Sequence, residues 1–325
     1  MKRIKSLDFA RMFFAFLVVC IHTPVLGKDL LTPISLTAVP FFYLLTGFFL
    51  YSNDADRLLY NIRKNIKNYF VTWIKYFVAL FCALQVLRHI YDNKISITME
   101  DVVKQLFVYG NSPFFDVIKI SGVSYGVSAL WFLYAGFISL IFFFFLRKYL
   151  LRKWLFVAVV IWWILSTTFN YSGGWPLTRV FSIPFPYFYF GYCLSFVMQK
   201  RKNVERNGFV ISFFGCALFL PLLYIECYFF HGESYSLYTL LPSSVALFYL
   251  LVKVNHFLLR LNVVIDPKIT LDIYIWHRLV YVLLVGCLGV NLHRFDAIIV
   301  YSLCFVTSLF VRTVGRYSKK RENNL

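Results

Sequence analysis

Charged residues are scarce in this chain: they make up 15% of its 325 residues, and only 15 residues are acidic. Hydrophobic residues make up 60% and aromatic residues 21%, and the mean hydropathy is +0.69. This balance excludes an ordinary soluble domain, which carries more charge and less apolar sequence. The sequence therefore predicts an all-α integral membrane protein.

Recognisable metal and nucleic-acid motifs are also lacking. The seven cysteines contain no CxxC pair and no other spacing typical of metal ligands, so no metal is predicted. The formal net charge is +18, but the Lys and Arg residues cluster in short segments between apolar stretches. The positive-inside rule explains this distribution, and nucleic acid is not expected as a partner.

The first residues resemble a secretory signal peptide only in part. Lys2, Arg3 and Lys5 precede an apolar stretch, as in a signal peptide. However, Asp8 and Arg11 interrupt that stretch, and no small-residue cleavage site follows it. We therefore expect this segment to be retained as the first membrane span.

Apolar windows of about 18 to 20 residues, the length that crosses a bilayer, occur ten times. The windows are residues 9–26, 34–52, 69–90, 129–146, 154–170, 180–198, 209–225, 236–252, 269–290 and 296–314. Most of the 33 Lys and Arg residues lie in alternate connections, which predicts that both termini are cytoplasmic. Since most connections are short, we expect one domain, a polytopic membrane helix bundle of about ten transmembrane helices over residues 1–325.

Two ionisable residues, Arg11 and His22, lie inside the apolar stretch from Phe9 to Leu26, where charged or titratable groups usually mark function. Eleven positions bring their side chains back to nearly the same helix face, about 16 Å apart along the axis. Ala15 and Val18 stand between them on that face. Both are small enough for another helix, or a thin bound chain in a lined channel, to approach closely.

Each of these residues has a chemical and a structural interpretation. A neutral His22 could take the proton of a hydroxyl nucleophile, or it could be a buried histidine that bonds one neighbour. Arg11 lies one turn inside the cytoplasmic end, where its side chain can snorkel to lipid headgroups. Asp8, three positions earlier, could pair with Arg11 and orient it.

The ninth apolar window holds a second group of polar side chains. Tyr274 and His277 are three positions apart and Tyr274 and Arg278 four apart, so one helix face presents a phenol, an imidazole and a guanidinium. Asp272 lies in the same span. Asp266 and Pro267, which precede it, are typical of the start of a helix. The group is either a polar contact between helices or a binding site for a polar or anionic ligand.

Basic residues also fill the predicted inner loop from Asn53 to Asn68. Arg63, Lys64 and Lys67 could receive phosphate groups from the cytoplasm. The excess of Lys and Arg that cytoplasmic loops normally carry explains these residues equally well.

Five short segments occur in a fixed order along the chain. They are Leu7-Asp8-Phe9-Ala10-Arg11 with His22, Leu45-Thr46-Gly47-Phe48-Phe49-Leu50, Leu130-Trp131-Phe132-Leu133, Phe188-Tyr189-Phe190-Gly191-Tyr192 and Thr270-Leu271-Asp272-Ile273-Tyr274-Ile275-Trp276-His277. Together with ten spans, this order resembles that of the bacterial integral-membrane acyltransferase-3 family, and the resemblance covers almost the whole chain. Two features depart from the family pattern: Lys64 and Lys67 replace a pair of arginines, and Arg278 replaces a proline, which predicts a straighter helix.

The resemblance implies a membrane-bound O-acyltransferase that moves an acyl group, usually acetyl from acetyl-CoA, to a hydroxyl of a cell-surface or exported carbohydrate. The implied partners are acyl-CoA as donor, a free or lipid-linked carbohydrate acceptor and membrane lipid, in the bacterial cytoplasmic (inner) membrane. The resemblance gives His22 and Arg11 the catalytic roles, and the inner-loop cations the binding of donor phosphates. The predicted sites are His22 and Arg11 (catalytic), Lys64, Lys67 and Arg63 (donor), and His277, Arg278, Tyr274 and Asp272 (second polar site).

Two other functions fit the composition: a transporter or flippase of a lipid-linked saccharide, and a polysaccharide polymerase. Transporters often contain paired broken helices in two internal repeats, whereas only one span of this chain contains two prolines, Pro184 and Pro186, and no span in the other half matches it. A polymerase would use the long outer segment, residues 91–128, which is sparse in paired basic residues. An acyltransferase requires acyl-coenzyme A, so dependence on coenzyme A distinguishes it from a transporter and from a polymerase.

Overall fold

The computed structural model describes residues 4–92, 118–120, 123–125, 130–171, 184–200, 204–230, 237–254, 266–289 and 295–322. These ranges contain eleven α-helices, one π-helix and one pair of short antiparallel strands. The elements are α1 Lys5–His22, α2 Lys28–Leu36, α3 Ala38–Leu50, α4 Ala55–Asp92, β1 Ile118–Ile120, β2 Val123–Tyr125, α5 Trp131–Leu146, α6 Lys153–Tyr171, α7 Pro184–Lys200, α8 Val204–Phe230, α9 Leu240–Lys253, α10 Pro267–Tyr281, the π-helix Val282–Cys287 and α11 Asp296–Glu322. The all-α membrane fold expected from the composition is confirmed.

Each predicted span coincides with a described helix or with two consecutive helices. By length and composition, three stretches of the described residues are able to cross a bilayer: Lys28–Leu50, Asn207–Phe229 and Asp296–Val314. Shorter apolar helices occupy Trp131–Leu146, Lys153–Phe169 and Leu240–Lys253. The total of ten spans stays a prediction, as does most of the long outer segment, which lies outside the described residues.

Helices α3 and α7 approach each other closely, and two glycines make this approach possible. A Cβ atom on Gly47 would lie 2.0 Å from the backbone oxygen of Phe188, and one on Gly191 would lie 2.1 Å from the backbone oxygen of Leu44. Neither distance is compatible with a side chain, so the two backbones touch only because both positions are glycine. The second and fourth family-like segments therefore meet at this contact.

Helix α1 is central, and the face between its two ionisable residues is filled by protein. Ala15 and Val18 are both buried. Ala15 packs in one cluster with Ile273 of α10 and Val300 of α11. Of the two expectations for this face, close approach of another helix is the one the structure shows.

Helix α10 begins as its sequence predicts. The side chain of Asp266 accepts a hydrogen bond from the backbone nitrogen of Lys268 at 3.0 Å, and Pro267 follows at the first helical position. The helix passes through Arg278 without a break and ends at Tyr281. It continues directly into the π-helix, an irregularity often found near functional sites.

Candidate active site

Arg11 faces a cavity of about 230 Å³ in the half of the bundle that the positive-inside rule assigns to the cytoplasm. Its Nη1 atom donates a hydrogen bond to Oδ1 of Asp8 at 3.0 Å, which confirms the predicted pair one turn apart on α1. The Arg11 side chain keeps 18% of its surface exposed. The carboxylate therefore orients a guanidinium that still reaches the cavity.

Five helices contribute to the walls of this cavity. The lining residues are Arg11 from α1, Phe42, Leu45 and Thr46 from α3, Asn68, Tyr69 and Thr72 from α4, Phe132 and Leu133 from α5, and Pro267, Thr270, Leu271 and Tyr274 from α10. The Thr46 hydroxyl and the Tyr69 hydroxyl lie 3.0 Å apart and share a hydrogen bond. Four of the five family-like segments, far apart in sequence, thus converge on one cavity.

His22 lies at the other end of α1, where its ring meets His277 of α10. The two imidazole rings stack with centroids 5.3 Å apart and an angle of 25° between their planes. His22 is exposed, whereas only 1% of His277 is accessible. One histidine is therefore open to a ligand and the other supports it from within the protein.

Backbone contacts determine the tautomer of His277. Its Nδ1 atom lies 2.6 Å from the carbonyl oxygen of Tyr274 and 3.2 Å from that of Ile273. Carbonyl oxygens only accept hydrogen bonds, so Nδ1 carries the proton and donates. Nε2 of His277 then carries a lone pair, and this buried atom has no hydrogen-bond partner among the described residues.

Tyr274 connects the cavity to the histidine pair. Its ring lines the cavity beside Arg11, and its centroid lies 6.3 Å from that of His277. The same ring packs edge-on or tilted against Phe132, at 5.1 Å, and Phe42, at 6.5 Å. The Tyr274 ring therefore lies between the cavity and the His277 ring.

The predicted second polar site is divided between two faces of α10. Tyr274 lines the cavity, and His277 stacks on His22 of α1. The Asp272 side chain instead points toward α4 and α11. Its carboxylate pairs with Arg312 of α11 at 2.5 Å and accepts hydrogen bonds from Ser308 at 2.6 Å and Tyr76 at 2.5 Å. Arg278 follows His277 directly on α10 and is half-buried.

The polar cluster around Asp272 includes residues that the sequence analysis did not single out. Arg312 lies inside the last apolar window, where an isolated cation requires a partner. The isolated Arg312 could therefore have predicted an ion pair. The sequence did not indicate that its partner is Asp272, 40 positions earlier.

The three predicted donor-binding cations lie on a helix, and the expected inner loop is wrong, because α4 begins at Ala55. Lys64 precedes Asn68 and Thr72 by one and two turns on the same face of α4, and those two residues line the Arg11 cavity. Arg63 and Lys67 instead line a separate groove toward α5. The structure therefore does not bring the three cations into one cluster.

Comparison with known proteins identifies the family of this chain. The acyltransferase domain that defines the acyltransferase-3 family matches residues 4–314, a range that contains every residue of the cavity and both histidines. No curated protein and no solved structure gave a significant match. Since the matched range is almost the entire sequence, the chain belongs to the acyltransferase-3 family and is a membrane acyltransferase.

Proposed function

We propose that this protein transfers an acyl group, usually acetyl, from acyl-CoA to a hydroxyl of a cell-surface or exported carbohydrate. The observation that carries the proposal is the arrangement along α1. Arg11 faces a cavity near the cytoplasmic end, and His22 presents an accessible imidazole about 16 Å farther along the same helix. The rings of Tyr274 and His277 lie between the cavity and His22 and contact each other.

The cavity beside Arg11 is proposed as the donor entrance. The guanidinium is oriented by Asp8 and suits either a phosphate of coenzyme A or the oxygen of the thioester as negative charge develops there. Lys64 precedes the lining residue Asn68 by one turn of α4 and is therefore the predicted donor-binding cation that we assign to the coenzyme A phosphates. Arg63 and Lys67 stay predicted donor ligands whose groove lies apart from this cavity.

His22 is proposed as the group that handles the acceptor proton. Its imidazole takes the proton from the carbohydrate hydroxyl as the oxygen attacks the thioester carbonyl. A carbon–oxygen ester bond forms, the carbon–sulfur bond breaks, and the proton passes to the coenzyme A thiolate. In an alternative two-step mechanism, the His22 nitrogen first accepts the acyl group and then transfers it to the hydroxyl.

His277 is proposed as a positioning residue for His22. Its Nδ1–H is held by two backbone oxygens, which restricts rotation of its ring. A fixed ring 5.3 Å from His22 restricts the planes that the His22 imidazole can adopt. An orientation fixed in this way lowers the entropy that must be lost when the reacting groups align.

The experiment is a comparison of acylated cell-envelope glycans, by mass spectrometry, in a deletion strain complemented with wild-type protein or His22→Ala. Loss of one acylated glycan in the variant, at equal protein abundance, supports the proposal and identifies the acceptor. Unchanged acylation in strains that express the protein would overturn it. A change in glycan export without any change in acylation, and without dependence on coenzyme A, would favour transport of a lipid-linked saccharide.

A further inference from the structure

A groove of about 420 Å³ lies between α4 and α5, outside the candidate active site. The two helices run antiparallel, so the start of α4 meets the end of α5 at the predicted cytoplasmic side. The groove is lined by Arg63, Ile66, Lys67, Phe70, Phe137 and Phe144. None of these residues lines the cavity beside Arg11.

Positive charge is concentrated at one end of the groove. The guanidinium of Arg63 lies 5.7 Å from the ring centroid of Phe144, and that of Arg147 lies 4.7 Å from the same centroid. Lys67 follows Arg63 by one turn of α4, and both side chains are exposed. No acidic side chain is among the lining residues, so an anion at this end meets no repulsion from the groove walls.

The opposite end of the groove is aromatic. Phe70 follows Lys67 by about one turn toward the membrane interior, and its ring lies 5.2 Å from that of Phe137 on α5. Phe70 is 43% exposed, as expected for a side chain that faces lipid. A molecule in this groove would therefore meet cations first and apolar rings deeper in the bilayer.

We propose that this groove binds an anionic phospholipid of the cytoplasmic leaflet. Its phosphate would lie between Arg63 and Lys67, and an acyl chain would follow Phe70 and Phe137. Basic pockets between transmembrane helices are typical sites for such headgroups, and an aliphatic chain matches the apolar half of the groove. A zwitterionic lipid supplies the chain but not the net negative charge.

Lys64 provides a control for the loss of a single charge, because it is adjacent to Arg63 in sequence but does not line the groove. Its ammonium lies 5.8 Å from the ring centroid of Tyr60, and it is not a lining residue. Replacement of Lys64 removes one positive charge from the same helix segment without altering the groove. Any effect of overall charge on lipid binding is thereby separated from an effect of the site.

The test is native mass spectrometry of the purified full-length protein, incubated with equal amounts of phosphatidylglycerol and phosphatidylcholine that carry identical acyl chains. We expect the wild type and Lys64→Gln to retain phosphatidylglycerol preferentially. The double variant Arg63→Gln, Lys67→Gln should lose this preference by roughly tenfold or more, because both cations nearest the phosphate are removed. The charge-conserving variant Arg63→Lys, Lys67→Arg should keep it.

Two results would overturn the proposal. One is equal retention of phosphatidylglycerol by the wild type and the double Gln variant. The other is displacement of bound phosphatidylglycerol by coenzyme A together with a raised KM for acyl-CoA in the double variant, which would assign the groove to the donor phosphates. Neither result depends on whether His22 is catalytic.

Discussion

The imidazole ring of His22 stacks on that of His277, with centroids 5.3 Å apart and planes inclined by 25°. The two histidines are 255 positions apart in the sequence. The inner ring is fixed by the carbonyl oxygens of Ile273 and Tyr274, whereas the outer ring is accessible. The pair thus combines a ring held by backbone oxygens with a ring that is exposed.

Replacement of His277 should slow transfer without weakening donor binding. His277→Asn keeps an N–H donor near the Tyr274 carbonyl but removes the ring that supports His22. We expect kcat to fall by about a hundredfold, because loss of alignment costs on this order, and KM for acyl-CoA to stay close to the wild-type value. Steady-state kinetics and thermal unfolding of the purified protein test this. A rise in KM with unchanged kcat would contradict a positioning role.

Removal of the Tyr274 ring should open the cavity toward the histidines. Tyr274→Ala takes away the ring that packs between Phe132 and His277, so water gains access from the cavity. We expect the ratio of acyl-CoA hydrolysis to acyl transfer to rise several-fold. Tyr274→Phe, which keeps the ring, should leave this ratio unchanged. Equal ratios for the Ala and Phe variants would show that Tyr274 does not separate the two regions.

The contact between α3 and α7 should not tolerate a methyl group. Gly47→Ala and Gly191→Ala each place a Cβ about 2 Å from a backbone oxygen of the facing helix, so the helices must move apart. Each variant should lose about 1–3 kcal/mol of stability, the range for overpacking.

Gly215→Ala is the matched control for this prediction. Its added Cβ would meet only the Cβ of Ala246, at 3.2 Å, so a smaller loss is expected. Thermal unfolding in detergent compares the three variants. Equal unfolding temperatures for Gly47→Ala, Gly215→Ala and the wild type would contradict the close approach of α3 and α7.

The ion pair between Asp272 and Arg312 should be structural. Asp272→Asn leaves the Arg312 guanidinium without its counter-charge at a largely buried site, and we expect a loss of about 3 kcal/mol. Asp272→Asn combined with Arg312→Gln should recover much of that loss, because no unpaired charge remains.

The same double variant separates structure from catalysis. Since Asp272 faces α11 and not the histidines, the double variant should transfer acyl groups at close to the wild-type rate once folded. Activity assays at matched amounts of folded protein check this. If the double variant were stable but inactive, Asp272 would belong to the reaction rather than to the helix contact.

Local sequence patterns predicted much of this fold. Apolar windows located the helices because a membrane segment must satisfy its backbone hydrogen bonds internally. The pair between Asp8 and Arg11 followed from helical spacing alone, and the start of α10 followed from Asp266 and Pro267. Each of these features depends on residues within one or two helical turns of one another.

Features that depend on packing between helices far apart in sequence could not be predicted from local patterns. Membership of the same apolar window placed Asp272 in one group with Tyr274 and His277, but its carboxylate pairs with Arg312 of α11. The stacking of His22 on His277 likewise requires α1 and α10 to be neighbours at a particular rotation. Sequence spacing gives the polar positions of a helix, and tertiary packing decides which partners they meet.

The measurement that tests the central claim most directly is incorporation of labelled acyl groups into glycan by membrane vesicles supplied with labelled acyl-CoA. Vesicles with wild-type protein should incorporate the label, and His22→Ala should reduce the rate by about 10²–10⁴-fold, the usual contribution of a general base. Donor binding by His22→Ala should be unchanged, whereas Arg11→Gln should weaken it. Incorporation by His22→Ala at the wild-type rate, with equal protein in the vesicles, would contradict the account.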